Sequence, residues 1–211
     1  MRITDLSHPF HIEDMVFPGT PKMSMYRSHT IEKDGYNLSL VSINSHAGTH
    51  TDAFLHFEEG GKSLAEIGLD AYIGPCFVMD CLEKVPCSDI TPDDLRPFAQ
   101  QIQKAGRVIL ATGWGKHVNT DAFYTDFPRV SPETAEYLVF LGVKTLGVEP
   151  PTLHTDKGAE VHHILLGNEV VVIEGLTNLE ALAGKEILLS AAPLCFEGMD
   201  GFPLRAVAIE L

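Results

Sequence analysis

Apolar positions in this 211-residue chain fall into short unbroken runs and longer spaced ones. Arg107-Val108-Ile109-Leu110-Ala111-Thr112, Thr145-Leu146-Gly147-Val148-Glu149 and Val170-Val171-Val172-Ile173-Glu174 carry little or no polar alternation. A strand of that kind has no face for water, so each is predicted to lie inside a sheet covered on both sides. Leu38-Ser39-Leu40-Val41-Ser42-Ile43, Cys76-Phe77-Val78-Met79-Asp80, Ile187-Leu188-Leu189 and Ala206-Val207-Ala208-Ile209 read as further strands. Strands separated by turns dominate the first third.

Helix signals lie between the later strands. Thr91-Pro92-Asp93-Asp94 combines a cap residue, a proline at the first helical position and acids in the first turn. It predicts a helix to about Lys104 that Pro97 bends or interrupts and Gly106 ends. Ser131-Pro132-Glu133 repeats the signature and opens a helix ending near Gly142, and a short helix spans Glu160 to Leu166, closed by Gly167. After Thr112, Gly113-Trp114-Gly115 reads as a turn where backbone can approach a ligand. The expected class is α/β with a mixed sheet, and with neither repeats nor low-complexity tracts the chain is expected to form one domain over 1–211.

Charge narrows the partners. A net charge of −14 argues against capture of nucleic acid or anionic lipid. No apolar run approaches the roughly 18 residues that span a bilayer, and Met1-Arg2-Ile3-Thr4-Asp5 opens on polar sequence, so a cytoplasmic address is expected. Cys76, Cys81, Cys87 and Cys195 form no C-x-x-C pair and are expected to be small buried thiols in a reducing compartment.

The candidate chemistry sits in Ser45-His46-Ala47-Gly48-Thr49-His50-Thr51-Asp52-Ala53-Phe54-Leu55-His56-Phe57. Imidazole and carboxylate are the usual ligands of zinc and its neighbours, and His46, His50, Asp52 and His56 share one parity. A fully extended chain would nevertheless hold His46 and His50 about 13 Å apart, too far for parallel side chains to meet at one ion. The chain must bend between them, and Gly48 can supply the bend. A helix would also join positions four apart, but Gly48, Thr49 and Thr51 are poor helix formers, which favours a bent strand or turn. Asp52 could bridge two ions through its two oxygens. A single histidine is more often a core or surface residue than a ligand; four candidates around a hinge glycine point to a metal site that this stretch cannot complete alone.

Candidates for its completion lie downstream. His162 and His163 sit in an apolar helix and cannot both face one way, so one is expected to ligate and the other to pack or hydrogen-bond. Glu174 closes an apolar strand, where a buried carboxylate needs a partner, although a strand-end residue in water is the plain alternative.

These residues carry a family resemblance. H-x-G-T-H-x-D-x-x-x-H-F, followed by H-H-x-L-L and E-G-L, resembles the metal-dependent cyclase family that includes bacterial kynurenine formamidase and isatin hydrolase. Asp5-Leu6-Ser7, Phe17-Pro18-Gly19 and Thr112-Gly113-Trp114 extend it over most of the chain. The resemblance implies a swivelling β/β/α fold and a homodimer. It implies that His46, His50 and Asp52 bind a first metal, that Asp52 bridges to a second held by His162 and Glu174, and that His56 transfers protons. Two positions depart from the family pattern: Phe17 stands where members that hydrolyse formylkynurenine carry a pocket-lining tryptophan, and Phe54 where proline is usual.

The activity implied is hydrolysis of a small-molecule amide by a metal-activated water, with one or two Zn2+ ions, Mn2+ or another divalent ion as cofactor. N-formylkynurenine is the foremost substrate, and isatin or a lactam the alternative. Phe17 and Trp114 are the aromatic candidates for stacking on the ring, against a role in core packing. Two non-enzymatic readings compete. A structural metal module predicts a closed ligand shell with no open position, and an acidic interaction protein predicts that His50→Ala changes nothing.

Overall fold

A computed structural model describes residues 1–12 and 16–210. Its strands are β1 Arg2–Asp5, β2 Ser24–His29, β3 Leu38–Ser42, β4 His50–Asp52, β5 Ile73–Asp80, β6 Asp89–Ile90, β7 Arg107–Ala111, β8 Arg129–Val130, β9 Thr145–Val148, β10 Val171–Glu174, β11 Glu186–Ser190, β12 Gly201–Pro203 and β13 Val207–Glu210. Its helices are α1 Ile31–Asp34, α2 Leu69–Tyr72, α3 Pro92–Leu95, α4 Ala99–Ala105, α5 Asp121–Thr125, α6 Pro132–Phe140 and α7 Gly158–Gly167.

Nine strands form one mixed sheet in the order β1-β13-β11-β5-β7-β9-β10-β4-β12. The middle four, β5, β7, β9 and β10, run parallel, and antiparallel strands flank them on both sides. Every residue of β7, β9 and β10 is buried, as their unbroken apolar runs predict. Helix α4 packs on β5 and β7, while α7 packs on β10 and α6. The first and last strands of the chain pair with one another at the edge, from Arg2 opposite Glu210 to Asp5 opposite Val207.

The helix predicted from Thr91 is interrupted where Pro97 falls. Helix α3 gives way to a 3-10 turn over Arg96–Phe98, and α4 resumes until Gly106 at φ 67°. Asp94 returns to the start, its carboxylate accepting the Thr91 N–H at 2.7 Å and the Thr91 hydroxyl at 2.9 Å. Ser131 caps α6 through the Thr134 N–H, and Gly142 follows at φ 72°. For α7 the expected stop is displaced: Gly167 is its last helical residue, and the left-handed position falls on Glu169 at φ 58°. A Cβ on Gly167 would meet Glu58 Oε1 at 3.2 Å, a close contact that a small shift of that flexible side chain relieves.

β3 forms where expected, with every residue exposed, and pairs with β2 as a hairpin. The cysteines need correction. Of the four cysteines only Cys76 and Cys81 are buried; Cys87, in a left-handed turn at φ 60°, and Cys195 are exposed. Burial pushes the Cys76 and Cys81 thiols up to about 12, which makes them inert near neutrality.

Candidate metal centre

Strand β4 carries the centre, and nothing in its apolar pattern announces a buried strand. His50, Thr51 and Asp52 are all buried between β10 and β12, with His50 opposite Glu174 and Asp52 opposite Val172. Alternation sends His50 and Asp52 to one face and Thr51 to the other, where its hydroxyl donates to the Val172 carbonyl at 2.8 Å.

His46 reaches the same place by a turn. Gly48 adopts φ 59°, and a Cβ there would meet the Phe10 ring at 2.6 Å, so the left-handed turn and the close packing both require glycine. Gly175, at φ 67°, lies against it, since a Cβ on Gly175 would meet the Gly48 carbonyl at 2.6 Å. The Thr49 hydroxyl pins the turn to the Gly175 carbonyl at 2.6 Å. After β4, a 3-10 turn over Phe54–His56 swings His56 back until its ring stacks on His46 with centroids 3.8 Å apart. Phe54 opens that turn, a position that proline also tolerates. The four residues of shared parity therefore converge through two turns rather than along one strand.

Helix α7 and strand β10 supply the other half. His162 is buried and His163 exposed, the latter hydrogen-bonded to Glu58 Oε1 at 2.9 Å. Phe57 stacks on the His162 ring at 4.6 Å. Asp52 Oδ1 lies 3.3 Å from His46 Nε2 and 3.5 Å from His50 Nε2, and its Oδ2 lies 3.5 Å from His162 Nε2. Glu174 closes the ring, 3.4 Å from His50 Nε2 and 3.2 Å from His162 Nε2. All five residues sought for the two metal positions thus meet around one buried carboxylate. Donor atoms of His46, Asp52 and His56 also lie within 4.8 Å of one another, as do those of His50, Asp52 and Glu174.

The donor chemistry fits a divalent metal. His50 Nδ1 donates to the Gly48 carbonyl at 2.9 Å and His162 Nδ1 to the Gly158 carbonyl at 2.7 Å. In each neutral ring the Nε2 lone pair then faces carboxylate oxygens, an arrangement that repels unless a cation or proton lies between. Both Asp52 oxygens and His46 Nε2 are buried without a hydrogen-bond partner. Burial so complete would cost several kcal/mol per uncompensated group, and a metal ion meets that need.

With protein groups alone, protons meet part of it. Burial opposes charge on His162, but Asp52 and Glu174 outweigh it and lift the imidazole to about 10. His50 is raised for the same reason, against its own burial, chiefly by Glu174 and Asp52. Asp52, despite burial, is held well below the usual carboxylate range by His162, His50 and His46. His46 is lowered to about 4, mainly by burial, which keeps its ring neutral.

A cavity of about 410 Å3 opens onto the cluster, lined by Phe17, His46, His56, His162 and Glu174 among others. Phe17 meets Tyr124 edge to face at 6.0 Å. Trp114 instead packs with Phe123 and Phe127 in a separate buried cluster, as its core-packing alternative requires. The glycine turn around it is also not open to a ligand. Glu149, fully buried, takes the N–H groups of Thr112, Trp114 and Gly115 and the Thr112 hydroxyl. Burial raises the Glu149 carboxyl against these hydrogen bonds. Glu149 closes an apolar strand just as Glu174 does, so the same sequence signal marks two different roles. Ser45, Tyr124 and Asp200 also border the site without any pattern that marks them in advance.

The mixed sheet and the paired histidine–carboxylate cluster define an α/β protein built around a metal-holding centre. The chain belongs to the cyclase family: residues 4–156 match the family described as "Putative cyclase". It is 31% identical over 213 residues to a kynurenine formamidase of Bordetella avium, an alignment covering 100% of this chain and 99% of the relative. Isatin hydrolase A from Labrenzia aggregata, solved bound to benzyl benzoate, is 25% identical with a TM-score of 0.84, covering 98% of this chain and 93% of that one. A Bacillus stearothermophilus structure titled "predicted metal-dependent hydrolase" is 27% identical with a TM-score of 0.81, covering 98% and 97%.

Proposed function

We propose that this chain is a metal-dependent amidohydrolase of the arylformamidase type, converting N-formylkynurenine and water to kynurenine and formate. The observation that carries the reading is the buried Asp52 carboxylate, with one oxygen turned to His46 and His50, the other to His162, and neither hydrogen-bonded. Full-length similarity to a kynurenine formamidase supports the substrate. His46, His50 and Asp52 would hold one divalent ion, and Asp52, His162 and Glu174 a second; their nitrogen and oxygen donors suit zinc, and manganese as well.

A divalent ion in the site supplies Lewis acidity, polarising the scissile carbonyl and drawing the pKa of a water toward about 7. His56 borders the cavity, where it takes a proton from the attacking water and returns it to the departing amine as the C–N bond breaks. Phe17 and Phe57 line the cavity with aromatic surface that suits an aryl substrate, and Tyr124 packs edge to face behind Phe17. His50 and His162 keep Nε2 directed inward through the carbonyl bonds made by Nδ1.

The open cavity argues against a purely structural metal, which would be enclosed by protein ligands. A second substrate reading, hydrolysis of isatin or another cyclic aryl amide, is favoured by the isatin hydrolase likeness, and Phe17 departs from the tryptophan of members that hydrolyse formylkynurenine. The test is metal analysis of the purified protein with hydrolysis assays on formylkynurenine, isatin and simple amides. Formamide cleavage dominating the panel supports the first reading, and isatin dominating supports the second. Metal binding with no hydrolysis across the panel would overturn both.

A homodimer belongs to the same reading. The β2–β3 hairpin exposes Met25, Tyr26, Leu38, Leu40 and Val41, a surface suited to a second copy. Among the described residues no helix is long and apolar enough to cross a membrane; a cytoplasmic enzyme acting on a small molecule belongs to the same reading.

A further inference from the structure

Asp200 lies at the end of the segment joining β11 to β12 and is held firmly against the site. Its carbonyl accepts the Ala53 N–H at 2.8 Å, and the Met199 carbonyl accepts the Leu64 N–H at 3.1 Å. The next residues, Gly201–Pro203, pair with Asp52–His50 as β12. The chain passes so close that a Cβ on Gly201 would meet His46 Nε2 at 2.7 Å.

The carboxylate of Asp200 faces two imidazoles at once. Its Oδ2 lies 3.8 Å from His46 Nδ1 and 3.8 Å from His56 Nδ1. Those rings are stacked with an interplanar angle of 27°, so they present the same edge to the same oxygen. Between Asp200 and His46 stands the Ser45 hydroxyl, which donates to Asp200 Oδ2 at 3.3 Å and lies 2.9 Å from His46 Nδ1. A proton on His46 Nδ1 therefore points to Ser45, whose own proton points to Asp200. For His56, a short approach of the carboxylate would complete a direct bond, as such contacts tighten when substrate fills an active site.

The consequence concerns tautomers. A carboxylate beside Nδ1 favours the ring form protonated there and leaves a lone pair on Nε2. His46 Nε2 faces Asp52 Oδ1 at 3.3 Å, so a lone pair there is favoured only with a cation between them; for His46 Asp200 sets the orientation of the ring, and the proton goes to Nε2 while no metal is bound. His56 in the Nδ1–H form has Nε2 free to take a proton. His50 and His162 are oriented by backbone carbonyls; neither His46 nor His56 makes such a bond, and Asp200 stands in that place.

We propose that Asp200 is a positioning residue for the reaction, one carboxylate setting the ring orientation of His46, through Ser45, and the orientation and tautomer of His56. The proposal rests on the hydrolase reading above, and its test is chosen to separate the two. Asp200→Asn and Asp200→Glu would be compared with wild type by three measurements: zinc affinity, kcat and KM on the hydrolysed substrate, and nitrogen NMR of histidine-labelled metal-free protein. The expected result for Asp200→Asn is a tenfold to hundredfold loss of zinc affinity and a comparable loss in kcat, on the order typical for carboxylates behind metal-binding histidines. KM and melting temperature stay near wild type, Asp200→Glu restores part of kcat, and NMR shows His56 leaving the Nδ1–H form. An unchanged His56 tautomer in metal-free Asp200→Asn would overturn the proposal even if the wild type hydrolysed nothing, and so would wild-type kcat and zinc affinity in that variant.

Discussion

The histidines at the site are not interchangeable, and His50 within the cluster and His56 beside it separate their roles. His50 is buried against both Asp52 and Glu174, so His50→Ala is expected to lose bound metal and turnover together. His56 stands beside the cluster, partly exposed, and His56→Ala is expected to keep most metal while kcat falls by about 10²–10⁴. Metal analysis alongside steady-state kinetics distinguishes the two patterns. A further expectation follows from His162, which its carboxylate neighbours hold protonated to about 10 when no metal competes. An ion held by His162 as proposed would displace that proton, so loading near pH 7 should release protons into a weakly buffered solution, and affinity should rise with pH. Titration calorimetry in buffers of different ionisation enthalpy measures the release; zero protons released would show that His162 does not ligate. At Phe17, a change to Ala should raise KM more than it lowers kcat, because the ring lines the cavity without touching the cluster's donors.

At the scale of elements, α7 is positioned by a residue outside the cluster. His154 is 6% exposed, and its Nδ1 accepts the N–H groups of Asp156 and Lys157, both at 3.0 Å, just before the helix begins at Gly158. Protonating that nitrogen would break both bonds. Burial, aided by the Arg129 charge, lowers the His154 pKa below its usual value, while Asp89 and Asp156 act in the opposite sense. The unfolded chain then binds a proton more readily than the folded one. This contribution to stability is complete above about pH 6.5 and is lost as pH falls through the lower folded value. Melting curves from pH 8 to pH 5 should therefore fall less steeply for His154→Gln than for wild type. Equal slopes would remove His154 from the account. The elements themselves were largely legible. Thr91-Pro92 and Ser131-Pro132 marked helix starts because caps and proline act locally, and β7, β9 and β10 declared themselves by burial on both faces. The bent strand or turn favoured around Gly48 is the turn into β4, but the burial of β4 was not legible, because its three residues are polar and its place in the sheet comes from β10 and β12.

For the whole molecule, the centre joins segments more than a hundred residues apart, so a bound ion acts as a cross-link between them. Chelation is expected to lower the melting temperature, and re-addition of zinc to restore it in a concentration-dependent way, as linkage requires. Calorimetry of chelated and reloaded protein measures the shift, and no shift would count against a tightly held ion. The exposed β2–β3 hairpin sets the expectation for assembly: sedimentation should give twice the 23.1 kDa chain mass, and Leu40→Glu should shift the protein toward monomer.

The family resemblance named His162 and Glu174, while the residues by themselves marked His46, His50 and Asp52 as candidate ligands and the glycine between His46 and His50 as a bend. Local chemistry suffices for that, since ligand type, cap and hinge are properties of a few neighbouring residues. Only the tertiary structure decided how the donors face one another. It split the two Asp52 oxygens between two groups of histidines, sent Glu149 and Trp114 to a buried turn instead of the cavity, and brought Asp200 to two imidazoles. Those outcomes depend on strand order and on close backbone approach between distant segments, and neither leaves a periodic trace in the sequence.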